Sequence, residues 1–392
     1  MFDPTSAEFF EDPSEMFRWL REEAPLYHNA DPDYWAVSRY EDVFAGYGDW
    51  KRLSNRWGVG IQDTPEDDAS TVGNILSLDR PDHERLRRLL SRAFTPRAID
   101  AKESLVRDTI AAFLDPLTDR DEFDLVADFA TLFPVEVISA LLGVPKADRP
   151  QIREWTAQRL HREPGELTPS PQARAAFTHL FDYFRDLVAD RRNHLGSDLI
   201  SEMCRAQDDL DGTETTLTDD EIAGFARLLG SAGSETVTKL VGNAAVLFHR
   251  NPDQWTKVLH DPTLIPAAVE ETVRYWPPVS YSGRRALAPV QFSTGTVPAG
   301  ARVLLVTGAA THDPRRFDNP DAFDIERDQH RQIGFGFGTH VCIGAHLARL
   351  ESRIAIQQLA TRWPRHHIRE HDLTRVHMTN VSGYENVPVT AR

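Results

Sequence analysis

The chain has 392 residues, 41% of them hydrophobic, which is enough to bury a sizeable core, and a formal net charge of −16. That charge argues against general binding to nucleic acid or to an anionic membrane surface. The two cysteines, Cys204 and Cys342, lie far apart, so no disulfide framework is expected and a reducing cytoplasm fits. The opening stretch, MFDPTSAEFFEDPSEMFRWL, contains no apolar run of the length that a signal or membrane anchor needs. No internal repeat or low-complexity tract stands out.

Residues 13–24 read as a short helix. Leu26-Tyr27-His28 and Trp35-Ala36-Val37-Ser38 read as strands of one small sheet, joined by a turn, and residues 40–48 return to helix. Residues 50–78 are rich in Gly, Asp and Ser and too long for a plain connection, the mark of a functional loop. From Pro81 the pattern is helical again, and His83 and Arg87, four apart, share a face. Arg85, Arg88 and Arg92 read as a solvated face. Residues 99–145 and 148–207 read as further helices, one of them ended by Gly143 and Pro145. His161–Pro171 is a polar connection.

Leu217-Thr218-Asp219-Asp220-Glu221-Ile222 carries a capping box, Thr218 with Glu221, and a Leu217–Ile222 staple. The helix it opens should run to about Arg250, where Asn251-Pro252 stops it, and span about 48 Å. Its middle, Gly230-Ser-Ala-Gly233-Ser-Glu235-Thr236, places two glycines where each costs about 1 kcal/mol relative to Ala. Small residues there suit close approach of something to the backbone. Leu228, Ser231, Ala232, Glu235 and Thr236 follow helical spacing and share one face. Glu271 and Arg274 lie three apart on a helix beginning near Pro266, a pairing that chance alone supplies often. Val303–Val306 reads as a short buried strand. The tail histidines, His366, His367, His371 and His377, have no recognisable metal-ligand spacing and read as solvated.

The chemistry is concentrated in IGFGFGTHVCIGAHLARLESRIAIQQL, Ile333–Leu359. Gly334, Gly336 and Gly338 alternate with Phe335 and Phe337, and Cys342 follows at the start of a helix. Unpaired N–H groups and the helix dipole there favour a thiolate, hence a metal ligand or a nucleophile. A phosphate cradle lacks its Lys-Ser/Thr, and the dinucleotide spacing is absent. A Cys-His hydrolase normally draws its base from distant sequence, whereas His340 is two residues away. An inert buried cysteine leaves the clustering of Phe, Gly, His and Cys unexplained.

Phe335-Gly336-x-Gly338-x-His340-x-Cys342-x-Gly344 closely resembles the haem-ligand loop of the cytochrome P-450 superfamily, in which a Cys thiolate donates to haem iron. The resemblance spans essentially the whole chain. It implies a single domain over residues 1–392, mainly α with small β-sheets (α+β), holding haem b with Cys342 as the axial ligand. It implies that His83, Arg87, Arg284 and His340 bind the haem propionates, anions that need charge-assisted donors. Ala232-Gly233-x-Glu235-Thr236 resembles the family's oxygen-activation motif, with Thr236 the donating hydroxyl and Glu235 the relay acid. On the same reading Leu228, Ser231, Ala232 and Val279, with Ser280, line the substrate pocket. Loop 50–78 and the tip at Ser382-Gly383-Tyr384 lie over or near substrate. Glu271 and Arg274 resemble the pair that braces the proximal loop. Here the sequence departs from the pattern: Ala322 stands where a third basic partner is usual, and Arg327 is the expected substitute. Phe337 likewise replaces a residue that is often basic or polar.

The implied reaction is monooxygenation of an apolar small molecule by O2. With no flavin or iron–sulfur segment in the sequence, a separate ferredoxin or flavodoxin with its reductase is the expected electron source, docking on Arg85, Arg88, Arg92, Arg349 and Arg353. The protein is expected to be a cytoplasmic monomer. Two alternatives remain at this point. A peroxide-driven peroxygenase is disfavoured by the Glu235-Thr236 pair, and a non-catalytic haem sensor or carrier by the lack of an attached signalling segment.

Overall fold

The apolar periodicity of the sequence becomes a stack of helices around one very long one. The computed structural model describes residues 1–62, 72–160, 166, 168–210 and 213–391. The long helix runs Asp219–Arg250 with both halves of its capping box formed. Thr218 Oγ1 accepts from the Glu221 N–H at 3.2 Å, and Glu221 Oε2 accepts from the Thr218 N–H at 2.9 Å. Leu217 and Ile222 are both buried beside the cap, as a staple requires. The helix is buried on nearly every side from Ile222 to Phe248, so it is a core element and not an amphipathic surface one. Helices Phe133–Leu142, Pro171–Asn193 and Ala345–Arg362 pack on it. Near its start a Cβ on Gly224 would lie 2.0 Å from the Val72 carbonyl oxygen, so the chain can cross there only over glycine.

Five strands form the main sheet, in the order Leu26–Ala30, Asp33–Val37, Arg302–Leu305, Ser282–Ala286, Leu53–Ser54. The expected hairpin is present, with Leu26 opposite Val37. Strand Arg302–Leu305 is buried at every position because it has a neighbour on each side. Its Val303 lies opposite Arg284. Strand alternation then turns Arg284 inward, at 3% exposure, and leaves Arg285 partly exposed against the Trp57 ring.

Two helical expectations need correction. Residues 99–145 are not continuously helical: strand Glu122–Asp124 and a wide π turn at Val126–Ala130 interrupt them. Asp124 Oδ1 accepts from the Val126 and Ala127 N–H groups at 2.8 and 2.9 Å, which diverts the backbone. The strand's partner is Pro388–Thr390, far along the chain and invisible to local periodicity. Residues 148–207 divide into Arg149–Leu160, Pro171–Asn193 and Leu199–Arg205, the last two capped by Ser170 and Asp198. The helix Pro252–His260 and the hairpins of Gln207–Leu210 with Thr213–Thr216 and of Val290–Phe292 with Gly295–Val297 had no counterpart in the sequence reading. Much of the expected loop 50–78, residues 63–71, lies outside the described residues, as do 161–165 and 167 of the connection His161–Pro171. No helix of the described residues is long and apolar enough to cross a membrane.

The helix Ile265–Tyr275 carries the pair that anchors the proximal half. Glu271 and Arg274 are both 0% exposed. The Arg274 guanidinium donates to Glu271 Oε2 at 2.7 Å and Oε1 at 2.8 Å, and to the carbonyls of Thr311, Pro320 and Ala322 at 2.9, 2.9 and 3.1 Å. All five of its N–H groups are thereby used. Glu271 also accepts from Gln329 Nε2 at 2.7 Å, Arg327 Nε at 3.3 Å and the Asp324 N–H at 3.0 Å. Arg327 does replace the missing basic residue at 322, with Gln329 beside it. Arg274→Met would strand the buried Glu271 charge, and about 3–5 kcal/mol of stability should be lost. Glu270→Ala, which removes a half-exposed pair with Arg349, should cost about 1 kcal/mol or less. Urea unfolding of the two variants side by side checks both figures.

Candidate functional site

Cys342 is carried on a loop that only glycine permits. Gly336 and Gly338 have φ of 72° and 73°, in the left-handed region. A Cβ on Gly338 would come within 2.8 Å of the Tyr47 carbonyl oxygen, and one on Gly334 within 2.8 Å of that of Val273. The loop therefore lies flat against helix Tyr40–Gly48 on one side and the Glu271 helix on the other. The Cys342 N–H donates to the Phe335 carbonyl at 2.9 Å and closes it. Phe337 stacks on Phe44 at 4.1 Å, and the Arg349 guanidinium covers Phe335 at 4.4 Å.

Cys342 is solvent-accessible, and the last long helix starts three residues on, at Ala345. Burial among protein atoms pushes its thiol pKa up, while the Gly344 N–H and the charges of Arg87 and Arg349 pull it down. The groups that favour the expected thiolate are therefore the Gly344 N–H and the guanidinium charges of Arg87 and Arg349, acting against desolvation.

Four other expected residues gather near the sulfur. His83 and His340 have ring centroids 4.0 Å apart. They line one cavity with Arg284, Tyr47, Thr339 and Asp79. Desolvation is the main force lowering both imidazole pKa values, to about 4 for His83 and about 2 for His340, so each is a neutral ring. Arg284, also held down chiefly by burial, donates only to Ser282 Oγ at 2.8 Å and the Gly283 carbonyl at 2.7 Å. It has no carboxylate partner among the described residues. Arg87 likewise forms no ion pair among them, although Cys342 is the charge that most affects it. His83 is 2% exposed, and neither ring nitrogen has a hydrogen-bond partner among the described residues. Asp79, the carboxylate of this cavity, already accepts from Ser54 Oγ and the Asn55 N–H. A buried imidazole with no hydrogen-bond partner and guanidinium groups without an ion pair, all among the described residues, fit an anionic group such as the carboxylates of a haem.

On the long helix the expected face divides in two. Ala232, Gly233 and Thr236 are accessible, whereas Leu228, Ser231 and Glu235 are 9%, 1% and 6% exposed. Neighbouring helix positions differ by about 100°, so Glu235 and Thr236 point in different directions. A Cβ on Gly233 would meet no protein atom within 4 Å, but one on Gly230 would touch Phe184 at 3.9 Å. Of the two glycines, Gly233 fronts the open side and Gly230 faces a neighbouring helix. Ser231 is turned behind the wall, its hydroxyl bonded by the Arg159 guanidinium. Thr236 Oγ1 donates to the Ala232 carbonyl at 2.9 Å and Ser234 Oγ to that of Gly230 at 2.7 Å, back-bonds that loosen a helix. Val279 is partly accessible and bridges to Val381, which brings the C-terminal segment to this side.

Some side chains were passed over in the sequence. Tyr47, under the Arg284 guanidinium at 5.4 Å, looked like any helix aromatic. Lys239 is 3% exposed and one turn beyond Glu235; a lysine inside an apolar helix was a usable signal. Of the five arginines expected to form a docking patch, Arg85 pairs with Glu221 and Arg349 with Glu270. His377 stacks on Phe10 and His366 bonds the Trp363 carbonyl, so these two pack instead of being solvated.

Comparison with known proteins bears on the same residues. A family profile described as Cytochrome P-450 matches residues 257–371. Putative cytochrome P-450 123 of Mycobacterium tuberculosis is 39% identical, with 100% of this chain and 97% of that protein covered. The cyclomarin C epoxidase CymV of Salinispora arenicola is 36% identical over 89% of each. The solved structure of the polyketide synthase cytochrome P-450 PksS from Bacillus subtilis superposes with a TM-score of 0.90 at 31% identity, covering 100% of both chains. With the fold, the cysteine loop and whole-length relatives in agreement, this chain belongs to the cytochrome P-450 family and is a haem b monooxygenase.

Proposed function

We propose that Cys342 is the axial thiolate, with His83, Arg87, Arg284 and His340 gripping the haem propionates. The observation that carries this is one cavity that gathers His83, whose ring nitrogens have no hydrogen-bond partner among the described residues, His340, and Arg284, which has no carboxylate partner among them. Bound haem supplies dioxygen activation, promoted by electron donation from the thiolate. The chain's part is to exclude water, hold the substrate and move protons. Thr236 is the hydroxyl on the open face, and leaving its bond to the Ala232 carbonyl frees it to donate. Glu235 recharges it from behind the helix. Ala232 and Gly233 keep the approach to the backbone low, and Val279 and Leu228 border the substrate.

The substrate proposed is an apolar small molecule, in keeping with relatives named for an epoxidation and for polyketide synthesis. Electrons come from a separate ferredoxin or flavodoxin with its reductase. Phe337 and Val341, large apolar side chains exposed beside the cysteine loop, support docking there in place of the arginine patch. A cytoplasmic, single-domain, monomeric protein completes the reading.

Cys342→Ser should abolish the red-shifted Soret band of the reduced, carbon-monoxide-treated protein; a band that persists would exclude this ligand. Arg284→Met removes an isolated buried cation and about one charged hydrogen bond to a propionate, so haem affinity should fall about 10- to 100-fold. The same change should raise the melting temperature of the haem-free protein, because that cation is buried without an ion-pair partner among the described residues and its hydrogen bonds to Ser282 Oγ and the Gly283 carbonyl offset only part of that cost. Haem titration and a thermal melt read the two effects independently. Thr236→Ala should keep full haem content but lower product formed per reducing equivalent about tenfold or more, with hydrogen peroxide in its place. Unchanged coupling would remove Thr236 from the relay.

A further inference from the structure

Glu235 does not stand alone. Its carboxylate is 6% exposed, and Lys239, one turn on along the same helix, is 3% exposed with Nζ 3.4 Å from Glu235 Oε2. Lys239 is its only ion-pair partner among the described residues. The geometry of that contact leaves Oε2 buried without a hydrogen bond, so the carboxylate keeps accepting capacity. The ammonium is fixed from its other side, where Nζ donates to the Tyr384 carbonyl at 3.2 Å. Tyr384 opens strand Tyr384–Asn386, and the residue before it, Gly383, lies against the lysine stem. A Cβ at 383 would stand 2.7, 3.0 and 3.1 Å from the lysine Cβ, Cγ and Cδ. The lysine can lie along the helix only because position 383 has no side chain. The segment Ser382-Gly383-Tyr384 thus also reaches the lysine that pairs with Glu235.

We propose that Lys239 is a positioning residue for proton delivery, holding Glu235 ionised and tying its orientation to the C-terminal segment through the Tyr384 carbonyl. This rests on the reading of Glu235 as the relay acid. The physical reason is the cost of an isolated buried charge: a carboxylate deprived of its ammonium in this setting takes up a proton. Helix geometry sets the direction, since a partner at i+4 draws the acid along the axis and away from the face that carries Thr236. Glu235 therefore has a resting position set by Lys239 and has to leave it to serve Thr236. The C-terminal segment, bridged to Val279 through Val381, gives substrate contacts on that side a mechanical route to the acid.

The test compares Lys239→Met, Lys239→Arg and Gly383→Ala with the parent holoenzyme by infrared spectroscopy at neutral pH and by product yield per reducing equivalent. Lys239→Met should reveal a protonated-carboxyl stretch, absent from the parent and lost again in the Glu235→Gln/Lys239→Met double variant. Its yield should fall about tenfold, less than the roughly hundredfold or more that loss of a general acid–base group costs, because the acid is misplaced and not removed. Lys239→Arg should restore both, and Gly383→Ala, which displaces the lysine without removing a charge, should reproduce part of the defect. If Lys239→Met does not fold, rescue of folding in the double variant supports the pair, and failure of rescue overturns it. A Lys239→Met protein with an unchanged carboxyl spectrum also overturns the proposal. Glu235→Gln alone separates the two claims: full coupling there ends the relay reading, while the infrared result still decides whether Lys239 holds the acid.

Discussion

Arg274 and Glu271 hold one another out of reach of water, and the proximal half of the molecule is arranged around them. A buried pair of this kind is seldom a net source of stability, because desolvation of both ions offsets their attraction. What it enforces is geometry. With every N–H of Arg274 used, and the carboxylate answered by Arg327, Gln329 and the Asp324 backbone, the segments at 311–329 have one way to lie on helix Ile265–Tyr275. Gly334 then meets that helix at Val273, and the cysteine loop takes its height from there. The position of Cys342 thus descends, contact by contact, from a charge pair with no part in the chemistry.

The two sides of the site have opposite polar accounting. Below, the brace is fully satisfied. Around the cysteine, the His83 ring has no hydrogen-bond partner among the described residues, and Arg87 and Arg284 form no ion pair among them. A protein that folded for its own stability alone would not keep an uncompensated guanidinium at 3% exposure. The deficit makes sense as affinity held in reserve for an anionic ligand. The same contrast recurs on the long helix, where the buried walls are closely packed and Gly233 meets nothing. Function lies where the local rules of folding are broken, and the rest of the chain keeps those places in register.

How much of this was legible depended on the range of the interaction. The long helix announced both ends through Thr218, Glu221 and Asn251-Pro252, all local signals, and both ends lie where the sequence put them. The cysteine loop was legible because glycines and a cysteine at fixed spacing admit few conformations. Strand Glu122–Asp124 was not, because its partner is Pro388–Thr390 and no local window holds both. Ala322 posed a question that Arg327 answers, as anticipated, but Gln329 was unforeseen because a glutamine in a meander has no pattern. The face of the long helix was judged too wide. Spacing at i, i+3, i+4 and i+7 places residues on one broad stripe, and only packing decides which edge faces inward and which is buried under Arg149–Leu160 and Pro171–Asn193.

That last error bears on the mechanism. If Glu235 and Thr236 faced the same way, the acid could serve the hydroxyl without moving. They are neighbours on a helix and diverge by about 100°, with the acid on the buried side and the hydroxyl on the open one. On the proposed relay, proton delivery needs either a rotation of the carboxylate or a break in the helix. The middle of this helix is suited to both. Ser234 and Thr236 each bond back to the carbonyl four residues earlier, and Gly233 just before them contributes no side chain to stiffen the turn. The glycine that lets a flat ligand approach is thus also placed where the helix has to give for the acid to reach it.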